Sequence, residues 1–182
     1  MQTEIDVLRD VSRKFEQAGI AYMLTGSMAM NYYAEPRMTR DVDFVVALQT
    51  SDWPKVKELF EAEYYVPETA AKSAIERRSV FNVIHFASAI KVDCVILKDS
   101  DYRQAEFARR QQIMLGDCAI WIVSQEDLIL SKLAWALPSH SELQLRDVRN
   151  LLNKACDDYY LNQWADVLGV RELLDECRAT TR

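Results

Sequence analysis

The sequence predicts an α/β fold of the α+β kind, a mixed β-sheet flanked by helices with a C-terminal segment that is helical throughout. Three observations carry that expectation. Short apolar runs alternate with amphipathic helical stretches over the first half of the chain. Two pairs of β-rich runs follow each other too closely for a crossover, so those neighbours are antiparallel. Beyond residue 123 the apolar spacing is helical to the end. A length of 182 residues suits one domain. Within it the pattern divides an α/β core, 1–123, from a helical segment, 124–182.

Residues 3–18 carry Ile5, Val7, Leu8, Val11 and Phe15 at helical spacing, with Thr3 as N-cap and Gly19 as the stop. Ile20 to Leu24 reads as a buried strand. Gly26 and Ser27 then turn the chain into a small helix ending near Ala34. Val42 to Leu48 is a second strand, and 51–63 a helix with Pro54 in its first turn. The stretches 79–86 and 89–97 form a hairpin that carries Asp93 on its second arm. A polar helix over 101–110 is followed by a hairpin, 111–123, turning at Gly116 and Asp117. Ser124 and Asp127 have the spacing of a capping box, with Asp in place of Glu or Gln, opening a helix that Pro138 ends. Helices over 141–155 and on either side of Gly169 complete the chain.

Composition excludes several functions. The net charge is −6, so no broad basic surface for nucleic acid is expected. Four glycines are too few and too scattered for a P-loop or a dinucleotide fingerprint. His85 and His140 are too far apart for an HExxH site, and the four cysteines form no CxxC pair. No run of 18 apolar residues or signal peptide is seen. The expectation is a cytoplasmic protein with reduced thiols and no membrane partner.

Three of the glycines have ready structural uses, Gly19 and Gly169 at helix ends and Gly116 in a turn, which leaves Gly26. The string Leu24-Thr25-Gly26-Ser27, thirteen residues and then Asp41-Val42-Asp43-Phe44 is the most informative stretch in the chain. A Gly-Ser turn at a helix N-terminus offers backbone N–H groups, a hydroxyl and the positive end of the helix dipole, which together suit a phosphate. Alternation on a strand sends Asp41 and Asp43 to one face while Val42 and Phe44 enter the core. Like charges about 6 Å apart repel by roughly 3 kcal/mol at an effective dielectric of about 20. A divalent cation with oxygen ligands resolves that conflict, and Asp93, in an apolar strand, is a third acid for such a site. His85, on the neighbouring strand, reads as a satisfied sheet histidine.

Gly26, Ser27, Asp41, Asp43 and Asp93 resemble the signature of the nucleotidyltransferase superfamily related to DNA polymerase beta: Gly-Ser, a short gap, Asp-x-Asp and a later third acid. The resemblance implies that fold and a transfer of a nucleoside monophosphate from an NTP, ATP among them, to an acceptor hydroxyl with release of pyrophosphate. It implies two Mg²⁺ ions, with Mn²⁺ as a substitute. Asp41 and Asp43 would bind both ions, Asp93 would bind the catalytic one and help activate the acceptor, and Gly26 with Ser27 would hold the triphosphate.

Glu126 to Lys132 and Leu145 to Leu152 look like later motifs of the AbiEii-type toxin nucleotidyltransferases and their short bacterial relatives. Lys132 lies four residues after Leu128 and three before Trp135, on an otherwise apolar face, so it needs a carboxylate or a phosphate. An ion pair with Asp147 answers that need. The resemblance makes Lys132 a triphosphate ligand and Asp147 its orienting partner. Arg37, Thr39 and Arg40 form an Arg-x-Thr-x-Asp-x-Asp string with the acid pair, also seen in these relatives, which assigns Arg37 and Arg40 to phosphate or acceptor. The acceptor is left open between a protein, an RNA 3′ end and a small molecule. A cognate toxin or antitoxin, or a phage-defence role, belongs to the same resemblance. The alternative is a catalytically inactive nucleotide-binding or protein-interaction module on the same fold.

Overall fold

The computed structural model describes residues 3–180. The elements run α1 Glu4–Gln17, β1 Tyr22–Thr25, α2 Gly26–Tyr33, β2 Asp41–Val46, α3 Trp53–Phe60, β3 Tyr64–Tyr65, α4 Glu68–Arg77, β4 Val80–His85, β5 Lys91–Ile96, α5 Asp101–Ala108, β6 Gln111–Leu115, β7 Cys118–Ile122, α6 Gln125–Ala136, α7 Glu142–Leu152, α8 Asp158–Leu168 and α9 Arg171–Thr180. Among the described residues the strands form one seven-stranded sheet in the order β3-β4-β5-β2-β1-β7-β6. Its β2/β5 and β1/β7 pairs are parallel, the rest antiparallel. The expected mixed sheet with flanking helices is the observed fold.

Local chemistry explains most element ends. The Thr3 hydroxyl accepts from the Asp6 N–H while the Asp6 carboxylate accepts from the Thr3 N–H, closing a reciprocal cap on α1. Gly19 follows α1 at φ +65° and Gly169 ends α8 at φ +67°, left-handed positions suited to glycine. The Ser124 and Asp127 pair differs from the expected box. Ser124 Oγ accepts from the Asp127 N–H, but the Asp127 carboxylate takes hydrogen bonds from Ser124 Oγ, Arg109 Nε and Tyr160 Oη. It ties α5, α6 and α8 together instead of reaching back to the cap. The β4–β5 hairpin also turns over more residues than the sequence reading allows. β3 and α4 lie in a stretch where no element is expected, because α4 buries only Ala71, Ala74 and Ile75 and shows little apolar periodicity.

The sheet separates two environments. On one face Phe15 of α1 packs against Tyr22, Phe44 and Phe60 with ring centroids 5.4–5.7 Å apart. On the other, Thr25, Asp43 and Asp93 occupy paired positions, since Thr25 faces Asp43 across β1/β2 and Asp43 faces Asp93 across β2/β5. α6 covers that face, and a cleft lies between them.

Candidate active site

Asp43 stands at the centre of the site. Val42 and Phe44 are fully buried on the opposite face, so strand alternation presents Asp41 and Asp43 together as expected. Parallel register sets Asp93 beside Asp43 and Lys91 beside Asp41. Burial, and after it the charges of Asp93 and Asp41, push the Asp43 carboxyl up to about 6. Lys91 Nζ lies 2.9 Å from Asp93 Oδ2 and 3.6 Å from Asp41 Oδ2, so an ammonium bridges the outer two acids. As the side chains stand, no three His, Cys, Asp or Glu residues among the described residues are gathered to hold one metal ion. The donor chemistry nevertheless fits a hard divalent cation: three carboxylates on adjacent strands, one with its ionisation suppressed by burial and by the other two.

Gly26 determines how close the backbone comes to that acid. It opens α2 at φ +64°, and a β-carbon there would lie 2.0 Å from Asp43 Oδ2. Only a glycine lets the helix N-terminus abut the carboxylate. Ser27 follows, and its Oγ accepts from Arg37 Nη2 at 2.7 Å. Arg37 makes a two-point pair with Asp147, Nε to Oδ1 at 3.0 Å and Nη2 to Oδ2 at 2.9 Å. Asp147 is fully buried and also accepts from Lys132 Nζ at 2.9 Å. Lys132, only 4% exposed, donates in addition to Gln144 Oε1 at 3.2 Å. Burial would raise the Asp147 carboxyl, but the hydrogen bonds from Arg37 and Lys132 win and hold it below its ordinary value. Burial lowers Lys132 against the opposing pull of Asp147. A chain of polar groups thus runs Ser27, Arg37, Asp147, Lys132, Gln144. Thr25, Gly26, Ser27, Asp43, Lys132 and Gln144 share one cavity of about 230 Å³.

The arrangement can bind an anion at one end and a cation at the other. Solved structures with the same architecture are found. The antibiotic-resistance factor ANT(2'')-Ia matches with a TM-score of 0.61 and 11% identity over 97% of this chain and 94% of its own. An antigenic nucleotidyltransferase-like protein from Paracoccidioides brasiliensis gives 0.58 and 13% over 95% and 90%. The lincosamide antibiotic adenylyltransferase LnuA, bound to lincomycin, gives 0.52 and 18% over 84% and 98%. This chain has the nucleotidyltransferase fold. No protein-family model and no curated protein matches the sequence, so the likeness is one of structure.

Within this nucleotidyltransferase fold the structure brings together Gly26, Ser27, Asp43, Lys132, Asp147 and Arg37, with Asp41 and Asp93 at the rim. Arg40 is exposed on the loop before β2 and lines an apolar groove with Met28, Tyr32 and Met38 that Arg37 also borders, and it is not among the residues lining the cavity of Asp43 and Lys132. His85 faces away from Asp93. The residue opposite Asp93 on β4 is Asn82, and the buried His85 ring pairs its Nδ1 with Ser88 Oγ. Trp135 is not on a buried face with Leu128, being 66% exposed at the cavity mouth. Sequence reasoning missed Lys91 and Gln144. Lys91 lies two positions before Asp93 on the same strand face and Gln144 three before Asp147 on the same helix, spacings that could have found both. No helix among the described residues is long and apolar enough to cross a membrane.

Proposed function

We propose that this chain is a divalent-metal-dependent nucleotidyltransferase. The observation that carries the reading is the close approach of Gly26 to Asp43 at a helix N-terminus, in the same cavity as Ser27 and the buried Lys132. Such a site takes a triphosphate beside a carboxylate pair. Ser27 Oγ, the α2 N-terminal N–H groups and Lys132 bind the β- and γ-phosphates, and Asp147 with Arg37 fixes Lys132 and Ser27. Asp41, Asp43 and Asp93 would hold Mg²⁺, or Mn²⁺ in its place, where Lys91 Nζ now lies against Asp41 and Asp93. Bound there, the metal would supply Lewis-acid polarisation. An acceptor hydroxyl oxygen bonds to the α-phosphorus, the bond to the β-phosphate bridging oxygen breaks, and pyrophosphate leaves. Asp93 receives the hydroxyl proton.

The names of ANT(2'')-Ia and LnuA support a small-molecule hydroxyl such as that of an antibiotic as the acceptor. A protein or RNA 3′ end, with a cognate toxin or antitoxin as partner, is the other class that the same assay reads. The second reading, an inactive module on this fold, is favoured by one observation: the Lys91 ammonium already bridges Asp41 and Asp93 and offsets one of their two charges.

The test is incubation with Mg²⁺, each NTP labelled at the α-phosphate, and a cell extract containing RNA, protein and metabolites. Label moved by wild type and not by Asp41→Ala supports transfer, and RNase or protease sensitivity of the product names the acceptor. Label moved equally by both proteins rejects the assignment of the acids. Binding of NTP without transfer from any of the four favours the inactive module.

A further inference from the structure

The cavity beside Gly26 and Lys132 continues into a second chamber of about 170 Å³, and Thr25, Val95, Ser131 and Trp135 line both. Together the chambers fall in the range of ligand pockets, roughly 300–1,000 Å³. The floor of the second is Val45 and Val95, two positions beyond Asp43 and Asp93 on the same sheet face. Its roof is Ser131, Ala134 and Trp135 of α6, and its end wall Arg103 and Glu106 of α5 with Lys98. None of these end-wall groups has a part in holding phosphate.

Two features give this chamber a ligand chemistry. Trp135 presents a large, mostly solvent-exposed ring at the junction of the two chambers, opposite a floor of valines. A flat heterocycle entering there lies between an aromatic face and an apolar one. The end wall is one-sided in its hydrogen bonding. Glu106 is 1% exposed, and both its oxygens are engaged, accepting from Arg103 Nη1 at 2.8 Å and from Ser131 Oγ at 2.6 Å. Ser131 Oγ in turn accepts from Arg103 Nη1 at 2.6 Å. The acceptors are therefore used internally, while Arg103 Nη2 and Nε and the Lys98 ammonium make no hydrogen bond among the described residues. At the end wall that leaves donors, which match O6 and N7 of guanine or O4 of uracil and not the amino group that adenine and cytosine carry at the corresponding ring position.

We propose that this chamber is the nucleobase subsite, in which Trp135 stacks on the base and Arg103 reads a carbonyl edge, so that GTP or UTP binds in preference to ATP and CTP. The inference rests on the triphosphate lying at Ser27 and Lys132, which places the nucleoside on the Trp135 side of Asp43.

Calorimetry with Mg²⁺ tests it, using inorganic tripolyphosphate and each of the four NTPs against wild type, Trp135→Ala and Arg103→Gln. Stacking should make the NTPs bind wild type about tenfold tighter than tripolyphosphate, and the donor edge should make GTP or UTP bind tighter than ATP or CTP. Trp135→Ala, a change at an exposed position, should lose most of the advantage over tripolyphosphate while binding tripolyphosphate as wild type does. Arg103→Gln, which offers an acceptor as well as donors, should bring ATP level with GTP. If NTPs bind and Trp135→Ala binds them as tightly as wild type, or if ATP or CTP is preferred, the base subsite is overturned while the transferase reading stands. If neither NTP nor tripolyphosphate binds, the triphosphate site itself falls and takes the subsite with it.

Discussion

Arg37 and Asp147, 110 residues apart in the chain, meet in a two-point ion pair that joins the α2–β2 loop to α7. The same carboxylate carries Lys132, so one buried anion organises cations from two parts of the fold.

This predicts an unequal pair of substitutions. Asp147→Asn leaves the cations of Lys132 and Arg37 together around a neutral amide and should cost about 3–5 kcal/mol, whereas Arg37→Ala leaves the Lys132 pair intact and should cost about 1–3 kcal/mol. Urea denaturation of the two variants measures the order. Equal losses would show that Lys132 finds another partner.

Gly26 and Gly19 share a left-handed backbone but differ in surroundings, φ +64° against the Asp43 carboxylate and φ +65° with nothing within 4 Å. Gly19→Ala should therefore show only the strain of that conformation, about 1–2 kcal/mol. Gly26→Ala adds displacement of Asp43 and should reduce the proposed nucleotidyl transfer at least 100-fold. Thermal melts and single-turnover rates on both variants separate strain from displacement.

The raised Asp43 carboxyl sets a pH dependence in the metal-free protein. Its folded value is about 6 against an ordinary 3.8, so both states are protonated well below pH 4. Between pH 4 and 6 the unfolded chain loses its proton first, and the contribution of this group falls to a plateau above pH 6. Asp43→Asn removes the effect. The variant should match wild type near pH 4 and exceed it by about 2–3 kcal/mol at pH 7 without metal. Mg²⁺ should raise the melting temperature of wild type and not of the variant. A stability difference that is flat with pH would contradict the electrostatic cause.

Lys91 occupies part of the place a divalent cation would take between Asp41 and Asp93. Lys91→Gln should melt earlier than wild type without metal and bind Mn²⁺ about threefold to tenfold more tightly, because no ammonium has to be displaced. Electron paramagnetic resonance titration of free Mn²⁺ reads the affinity directly. Weaker Mn²⁺ binding by the variant would instead give Lys91 a supporting role at the site.

The acids were legible in the sequence because strand alternation is local. Asp41 and Asp43 share a face whatever the rest of the chain does, and Val42 and Phe44 go to the core for the same reason. Gly26 could be singled out by elimination, since the other three glycines had ordinary turn or cap roles. The Lys132–Asp147 pair followed from the energetic need of a lysine on an apolar helix face. Arg40 could not be separated from Arg37 in this way, because the loop between α2 and β2 has no periodicity to assign its side chains a direction.

What the sequence by itself determined is the mixed α/β architecture, the order of most elements and the residue types of the site, all consequences of periodicities of 2 and 3.6 and of local capping. What only the tertiary structure decided is the β2/β5 register that sets Asp93 beside Asp43 and Lys91 beside Asp41, the closeness of Gly26 to Asp43, and the second chamber under Trp135. Those depend on which strands pair and at what offset. That choice is made by burial of the whole apolar face at once, and no short segment encodes it.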